Sequence, residues 1–330
     1  MPAWLIFILS GGAVILAGIR LAQAGDVIAD RTGMGRTWVG AVLVAAATSL
    51  PELTTDSFAV VQGHANLAVG DLFGSSMANM ALLALADIVL TRVRVLTRVA
   101  INQAIVGTLA VILMSIAVAG AMTQPGLSLF SIGWAPLVIG FSYLAGMRLI
   151  HVNREGPPFA TIGEVVQAEA AAPGLRGAAF GFALATVVIL VAARFLASSA
   201  ADLSVQLGLS TGFFGIALLA LTTSLPEGAV TVTCLRSGSY DLAVGNLLGS
   251  NVFNMVILIP LELIHRHGPI LAEADEAVLI GAAFAIFLTS LTVLEVLNRS
   301  ERRVWYLEPD AVFRLIIYLF GLFLAFRVSM

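Results

Sequence analysis

The sequence predicts an all-α polytopic membrane protein, with about ten transmembrane helices arranged as two inverted-topology five-helix repeats. Three observations support this fold class. Hydrophobic residues make up 59% of the 330 residues and charged residues only 11%, with a mean hydropathy of +0.99, whereas soluble domains are about 25% charged. Ten apolar runs are long enough to cross a bilayer. Two segments, one in each half of the chain, carry the same motifs at a fixed spacing.

This composition excludes several classes of protein. A soluble globular enzyme or a secreted disulfide scaffold needs more polar surface, and a disordered chain holds fewer apolar residues. The 17 basic residues are all arginines and are scattered, so they indicate no nucleic-acid partner. The single cysteine, Cys234, can form no internal disulfide. The lipid bilayer is the expected surrounding, and no obligate protein partner is evident.

The apolar runs place the predicted spans in order along the chain. Five spans fall in a first half, residues 1–150, and five in a second half, residues 177–330. The polar stretch 151–176 is predicted to be the loop that connects the halves. The predicted spans cover residues 3–24, 37–61, 66–90, 99–121, 126–149, 177–200, 210–235, 242–264, 270–297 and 311–329.

Arginines distinguish the two sides of the membrane. Most of them, including Arg31 and Arg314, flank the odd-numbered connections, whereas the even-numbered connections and the C-terminus carry only Arg194, Arg266 and Arg327. By the positive-inside rule, the odd connections and the central loop are cytoplasmic and both termini lie outside. The use of arginine without lysine points to a GC-rich prokaryotic genome, and hence to the plasma membrane of a prokaryote, its inner membrane, as the location.

Residues 40–80 and 215–255 form an internal repeat at an offset of 175 residues, and 18 of the 41 aligned pairs are identical. Both copies contain TSLPE, followed by GSSMAN in the first copy and by GSNVFN in the second. Because five helices separate the copies, they cross the membrane in opposite directions. The substrate site of such an inverted repeat lies near the bilayer midplane, between the halves.

Each copy places a proline and a glutamate inside an apolar span. Pro51 and Pro226 lack an N–H group and are predicted helix breaks that free carbonyl oxygens. Glu52 and Glu227 follow directly, although a charge at this depth costs at least about 2.5–3.5 kcal/mol. Two acids at equivalent positions therefore indicate a functional site.

The polar residues around the two acids are all oxygen donors. Such oxygens suit hard cations, and an irregular shell of about six to eight ligands suits calcium, so calcium or sodium fits best. Two carboxylates neutralise one divalent or two monovalent cations, whereas the empty dianionic site is costly to carry across the membrane. The site therefore predicts coupled exchange. The matched donors are Thr48, Ser49, Ser75 and Asn79 in the first copy and Thr223, Ser224, Ser250 and Asn254 in the second.

These motifs resemble the alpha repeats of the sodium/calcium exchanger family, within the calcium/cation antiporter superfamily. In that family the acids of both repeats bind calcium, and sodium competes for overlapping sites. The resemblance implies that Glu52 and Glu227 bind both ions and that the carbonyls of Thr48 and Thr223 complete the calcium shell. It also implies a set of sodium ligands, hydroxyls in part and carbonyls in part: Ser49, Ser224, Ser75, Ser250, Ala45 and Ala220.

The resemblance places Asn79 and Asn254 at the centre of the pocket. Many relatives carry an aspartate at the position of Asn254, the potassium-dependent members among them, so potassium coupling is disfavoured. Asp56 is predicted either to attract cations at the outer mouth or to be a solvated residue near the end of its span. Asp71, aligned with Asn246, receives no role from the sequence.

The sequence thus predicts a secondary active sodium/calcium antiporter that works by alternating access, with calcium and sodium as transported ions and no cofactor. The nearest alternative is a calcium/proton or other cation/proton antiporter on the same fold, because protons could discharge the same two glutamates. An ion channel or a non-transporting scaffold is a different class of answer. An enzyme is not expected, since the four histidines lie at span ends without a nucleophile nearby.

Overall fold

The computed structural model describes residues 2–90, 95–123, 128–129, 132–152, 174–207, 215–298 and 309–329. Within these residues, nine helices are long and apolar enough to cross a membrane, and a bent pair of helices forms a tenth span. The predicted all-α membrane fold is confirmed. Most of the predicted central loop, residues 153–173, lies outside the described residues, and so does the start of the predicted seventh span, residues 210–214.

The spans are labelled α1 to α10 in chain order. Eight of them are continuous helices, and α2 and α7 contain breaks. Their bounds are α1 Ala3–Thr32, α2 Arg36–Val61, α3 Ala65–Leu90, α4 Gln103–Met122, α5 Trp134–Val152, α6 Leu175–Leu207, α7 215–236, α8 Tyr240–Ile264, α9 Glu276–Asn298 and α10 Pro309–Ser329.

Helix α1 continues well beyond its predicted end at residue 24. It ends at Thr32, and the next residue, Gly33, has a left-handed φ of 67° and donates its N–H to the Ala29 carbonyl at 3.2 Å. The acids in its last turns are paired, since Arg36 lies 2.7 Å from Asp26 and 2.9 Å from Asp30. Because these charges neutralise one another, the helix can extend past its apolar segment.

Helix α5 begins at Trp134, later than the predicted start at residue 126. Before it, Ser128–Leu129 pairs with Ile132–Gly133 in a short antiparallel ladder. The N–H of Gly133 donates to Glu262 Oε1 at 2.5 Å. This carboxylate, near the end of α8, fixes the start of α5 by a contact that hydropathy does not reveal.

Helix α9 also begins later than predicted, at Glu276 rather than at residue 270. Residues Ile270–Glu273 instead form a separate 3-10 turn. Asp275 then caps α9, because its carboxylate accepts the N–H of Val278 at 2.8 Å.

In both copies, the helix that carries the TSLPE motif is interrupted at the serine of that motif. In α2, a π-helical segment Val39–Val44 leads into Ala45–Thr48, and the chain breaks at Ser49 before Leu50–Val61. In α7, the equivalent break falls at Ser224, where the two segments bend by 49°. Pro51 and Pro226 each stand at the second residue of the helix after the break, where a missing N–H costs least.

The broken helices and their partners α3 and α8 form the centre of the bundle, whereas α1 and α6 pack along each other at its side. Glycines let α8 approach the start of α2 closely. A Cβ atom at Gly249 would lie 2.5 Å from the Cα of Ala41, and one at Gly245 would lie 3.1 Å from the carbonyl of Thr37. The halves therefore meet backbone to backbone, as small residues permit in membrane helices.

One arginine used to assign the cytoplasmic side is not free. Arg314 is fully buried, with its guanidinium 3.2 Å from the carboxylate of Glu295 and 3.7 Å from that of Asp87. Its charge is therefore balanced inside the bundle. Because it is buried and paired, Arg314 does not mark the cytoplasmic surface. The predicted orientation of the chain in the membrane therefore depends on the other arginines.

Candidate functional site

The two repeat glutamates lie at equivalent places in the centre of the bundle. Glu52 and Glu227 each occupy the first turn of the helix after its break, and they are 1% and 0% exposed. Their charges are close enough to interact. Among the described residues, no ion pair joins either one to a basic side chain. Two carboxylates therefore share a buried region without a cationic side chain beside them.

The carboxylate of Glu227 accepts hydrogen bonds from hydroxyl groups of both halves. Ser250 Oγ donates to its Oε1 at 3.2 Å, and Ser49 Oγ donates to the same oxygen at 3.4 Å. The hydroxyl of Thr48 also interacts with this carboxylate. Its second oxygen, Oε2, is buried and has no hydrogen-bond partner. The α2 and α8 hydroxyls thus hold one oxygen and leave the other available.

The surroundings of Glu52 differ from those of Glu227. Its Oε2 is buried without a partner, and so is the hydroxyl of Ser224, which is the repeat equivalent of Ser49. Thr223 Oγ1 lies 3.3 Å from Asp71 Oδ1 and 3.2 Å from Ser75 Oγ. Of the two repeat-equivalent serines, Ser49 therefore has a carboxylate partner and Ser224 has none.

Threonine and serine hydroxyls meet across the repeat interface at two equivalent places. Thr48 Oγ1 lies 3.5 Å from Ser250 Oγ, and Thr223 Oγ1 lies 3.2 Å from Ser75 Oγ. All four side chains are essentially inaccessible. The structure therefore brings four of the six predicted hydroxyl donors against a predicted donor of the other half.

The two alanine carbonyls that the resemblance implies as sodium ligands already accept hydrogen bonds. The carbonyl of Ala45 accepts the N–H of Ser49 at 2.9 Å, and that of Ala220 accepts the N–H of Ser224 at 3.0 Å. The carbonyl of Ala45 also accepts from Thr48 Oγ1 at 3.2 Å, and that of Ala220 also accepts from Thr223 Oγ1 at 3.3 Å and from Ser75 Oγ at 3.4 Å. Both carbonyls belong to the short helical segments that end at the breaks.

The predicted central asparagines have hydrogen-bonded amide nitrogens and amide oxygens without a partner. Asn79 Nδ2 donates to Asn251 Oδ1 at 3.0 Å, and Asn254 Nδ2 donates to the Leu72 carbonyl at 3.4 Å. Both side chains are buried, and the Oδ1 atoms of Asn79 and Asn254 have no partner. Their amide nitrogens are held by the protein, while their oxygens are not.

Several polar residues of the site were missed by sequence reasoning. Asn251 donates to the Ser76 carbonyl at 3.3 Å and to Thr289 Oγ1 at 3.2 Å, and Asn246 donates to the Glu227 carbonyl at 3.4 Å. Ser76 and Asn251 are repeat equivalents of each other, but they differ in identity, and the search for identical pairs passed over them. Thr289 belongs to α9, outside both copies, and carries no sequence signal.

The arrangement is suited to binding a hard cation. The chemistry available is carboxylate, amide and hydroxyl oxygen. No group of three or more His, Cys, Asp or Glu side chains arranged to hold a metal is found in the part of the chain that the structure describes. Neutral hydroxyl and amide oxygens are available beside the two glutamates to contribute to a shell. Among the site residues predicted from the sequence, the buried side-chain oxygens without a partner are Glu52 Oε2, Glu227 Oε2, Asn79 Oδ1, Asn254 Oδ1 and Ser224 Oγ.

Two inverted halves with a buried oxygen-lined site between them define a secondary transporter of the inverted-repeat class. The profile of the sodium/calcium exchanger protein family matches residues 2–147 and 177–327. The chain belongs to this family, which is a family of transporters.

Curated relatives extend along most of the chain. The putative antiporter CaxA of Alkalimonas amylolytica is 27% identical over 303 residues, covering 90% of this chain and 93% of the relative. The inner membrane protein YrbG of Escherichia coli (strain K12) is 29% identical and covers 78% of each chain. The sodium/calcium exchanger MaX1 of Methanosarcina acetivorans is 24% identical and covers 73% of this chain and 76% of its own.

Solved structures of the sodium-calcium exchanger NCX_Mj share the fold. One, soaked with 10 mM Na+ and zero Ca2+, matches with a TM-score of 0.72 at 18% identity and covers 97% of both chains. Another, soaked with 100 mM Na+ and 10 mM Sr2+, matches with a TM-score of 0.73 at 18% identity and covers 97% of both chains.

Because Ser49 is hydrogen-bonded and Ser224 is not, replacing each by alanine should change the stability of the protein to different extents. We expect Ser49→Ala to lower the free energy of unfolding in cation-free detergent by about 0.5–1.5 kcal/mol, because it removes a donor to Glu227. Ser224→Ala, its matched control, should change stability little, because its hydroxyl has no partner to lose. Thermal unfolding of the two purified variants measures this, and equal losses would contradict the asymmetry.

Proposed function

We propose that the protein exchanges sodium for calcium across the membrane by alternating access, with Glu52 and Glu227 as the central cation ligands. The observation that supports this most directly is the set of buried oxygens without partners at equivalent places in both halves. Unpaired carboxylates in a low-dielectric interior are costly unless a cation neutralises them. A transported cation would supply the missing charge.

The same charge balance accounts for coupling. One calcium ion or two sodium ions neutralise the two glutamates, so either load makes the occupied site less costly to carry than the empty one. A bundle that changes access only when loaded would then exchange ions instead of leaking them. The threonine and serine hydroxyls around Glu227 favour sodium as the coupling ion, because a proton needs no shell of ligands.

We further propose that α1 and α6 move together to switch access. They pack along each other at the side of the bundle, and α1 also lies against α7 near its break. A Cβ atom at Gly18 of α1 would lie 3.4 Å from the carbonyl of Pro226. Movement of this pair over the break would open and cover the site.

Calcium uptake into proteoliposomes tests the proposed exchange. Under an outward sodium gradient we expect accumulation of radioactive calcium by the wild type, and none when choline replaces sodium. Glu52→Gln should reduce uptake to the level of protein-free vesicles, because Glu227 is then the one carboxylate left in the central site and cannot by itself neutralise a divalent ion. Glu276→Gln, on an exposed residue at the start of α9, is the matched control and should transport normally.

Two results would contradict the proposal. Sodium-driven uptake that survives in the Glu52→Gln variant would remove this residue from the central site. Absence of sodium-driven uptake in the wild type would exclude sodium coupling.

A calcium/proton antiporter is the second candidate, and one observation favours it. The Oε2 atoms of Glu52 and Glu227 have no hydrogen-bond partner, so each could carry a proton in the absence of metal ions. In the same vesicles, uptake driven by an imposed pH gradient and indifferent to sodium would support this candidate over sodium exchange.

We propose that the protein lies in a prokaryotic plasma membrane with both termini outside and the 151–176 connection in the cytoplasm. This orientation follows from the arginines that remain after Arg314 is set aside. It predicts that an impermeant maleimide labels Gln62→Cys in intact cells, but labels Ser237→Cys only after permeabilisation. Both positions are exposed and lie in turns at opposite sides of the bundle, whereas Cys234 is buried. The reverse labelling pattern would invert the topology.

A further inference from the structure

A second pair of acids lies beside the central site and is not part of it. Asp56 of α2 and Asp71 of α3 are both 0% exposed, and their carboxyl groups are in contact. The burial of Asp56 overturns the prediction of a solvated residue near the end of its span, because α3 packs directly over this face of α2. The equivalent positions of the second half hold Thr231 and Asn246. The fold of the repeat therefore does not require charge at these places.

The protein leaves most of this pair without partners. Among the described residues, one hydroxyl bonds to the pair: Thr223 Oγ1 lies 3.3 Å from Asp71 Oδ1. Apart from the contact of the two carboxyl groups with each other, Asp71 Oδ2 and both oxygens of Asp56 are buried without a hydrogen-bond donor. Like charges in contact repel each other, and burial without partners adds to the cost. A ligand that supplies positive charge would relieve both.

The pair is continuous with the central site. Asp56 follows Glu52 by one helical turn. The carboxyl group of Glu52, whose Oε2 has no partner, lies close enough to both aspartates to interact electrostatically with them. Thr223 Oγ1 lies 3.2 Å from Ser75 Oγ and 3.3 Å from Asp71 Oδ1, so it joins the two groups. Because α2 and α3 meet at the turn after Val61, the aspartates lie between Glu52 and that side of the bundle.

The number of buried acids indicates how much positive charge the ligands must supply. Glu52, Glu227, Asp56 and Asp71 are four buried acids, and no ion pair joins any of them to a basic side chain among the residues described. Arg314 is engaged by Glu295 and Asp87. One calcium ion balances two of the four acids, so a further cation is needed to balance the others.

We propose that Asp56 and Asp71, with the hydroxyl of Thr223, form a second binding site for a hard cation next to the Glu52–Glu227 site. Two carboxylates and a hydroxyl provide only oxygen ligands, which suit sodium or calcium and not a soft metal. This proposal is separate from the proposed exchange. A cation is expected at the site because the two aspartates are charged and buried, whichever ion drives transport.

Equilibrium binding to the purified full-length chain tests this site. Radioactive sodium and radioactive calcium are titrated in separate arms, and the number of ions bound per chain at saturation is measured. The double variant Asp56→Thr, Asp71→Asn copies the side chains of the second half and should bind about one ion fewer than the wild type. The arm in which the number falls identifies sodium or calcium as the occupant. Thr231→Val, at the position equivalent to Asp56, is the matched control and should bind as the wild type does.

Two outcomes would overturn the site. Unchanged numbers and affinities for both ions in the double variant would mean that the aspartates share a proton instead of a metal ion. Complete loss of saturable binding in Glu52→Gln would mean that the aspartates hold no cation of their own. If the double variant is unstable, Asp71→Asn alone keeps the side-chain volume and should still weaken binding at least tenfold in one arm. Failure of sodium-driven calcium uptake would reject the exchange without altering this binding test.

Discussion

The burial of carboxylates without basic partners is the constraint on which the rest of the structure depends. Glu52 and Glu227 lie where water is excluded, and each keeps one oxygen free of any hydrogen bond. Folding alone would favour an ion pair or an apolar residue there. A transported cation explains the arrangement, because it neutralises the two carboxylates while it is bound and leaves them unpaired when it is released.

The two broken helices make that arrangement possible. Breaks at Ser49 and Ser224 place each glutamate at the start of a new helix, where backbone N–H groups favour a negative charge. Since the halves run in opposite directions, the breaks face each other and the hydroxyls of one half reach the other. The halves differ chemically, however, because only the first carries Asp56 and Asp71. Inverted symmetry of the backbone therefore supports an asymmetric distribution of charge.

The fold class could be predicted from the sequence because composition, span length and an ungapped repeat are local or additive properties. Most of the paired donors could be found for the same reason, as they are duplicated. The burial of Asp56 could not, since it depends on how α3 packs over α2, and neither could the pairing of Arg314 with acids of two other helices. The late start of α5 likewise depends on a bond from Gly133 to Glu262, distant in sequence.

The central claim is that the site changes sides only when a cation neutralises it. Proteoliposomes preloaded with radioactive calcium and diluted into choline medium, with or without external sodium, test this most directly. Obligatory exchange predicts that calcium stays inside in choline and leaves when sodium is added. Equal efflux in both media would contradict the claim and would indicate a channel.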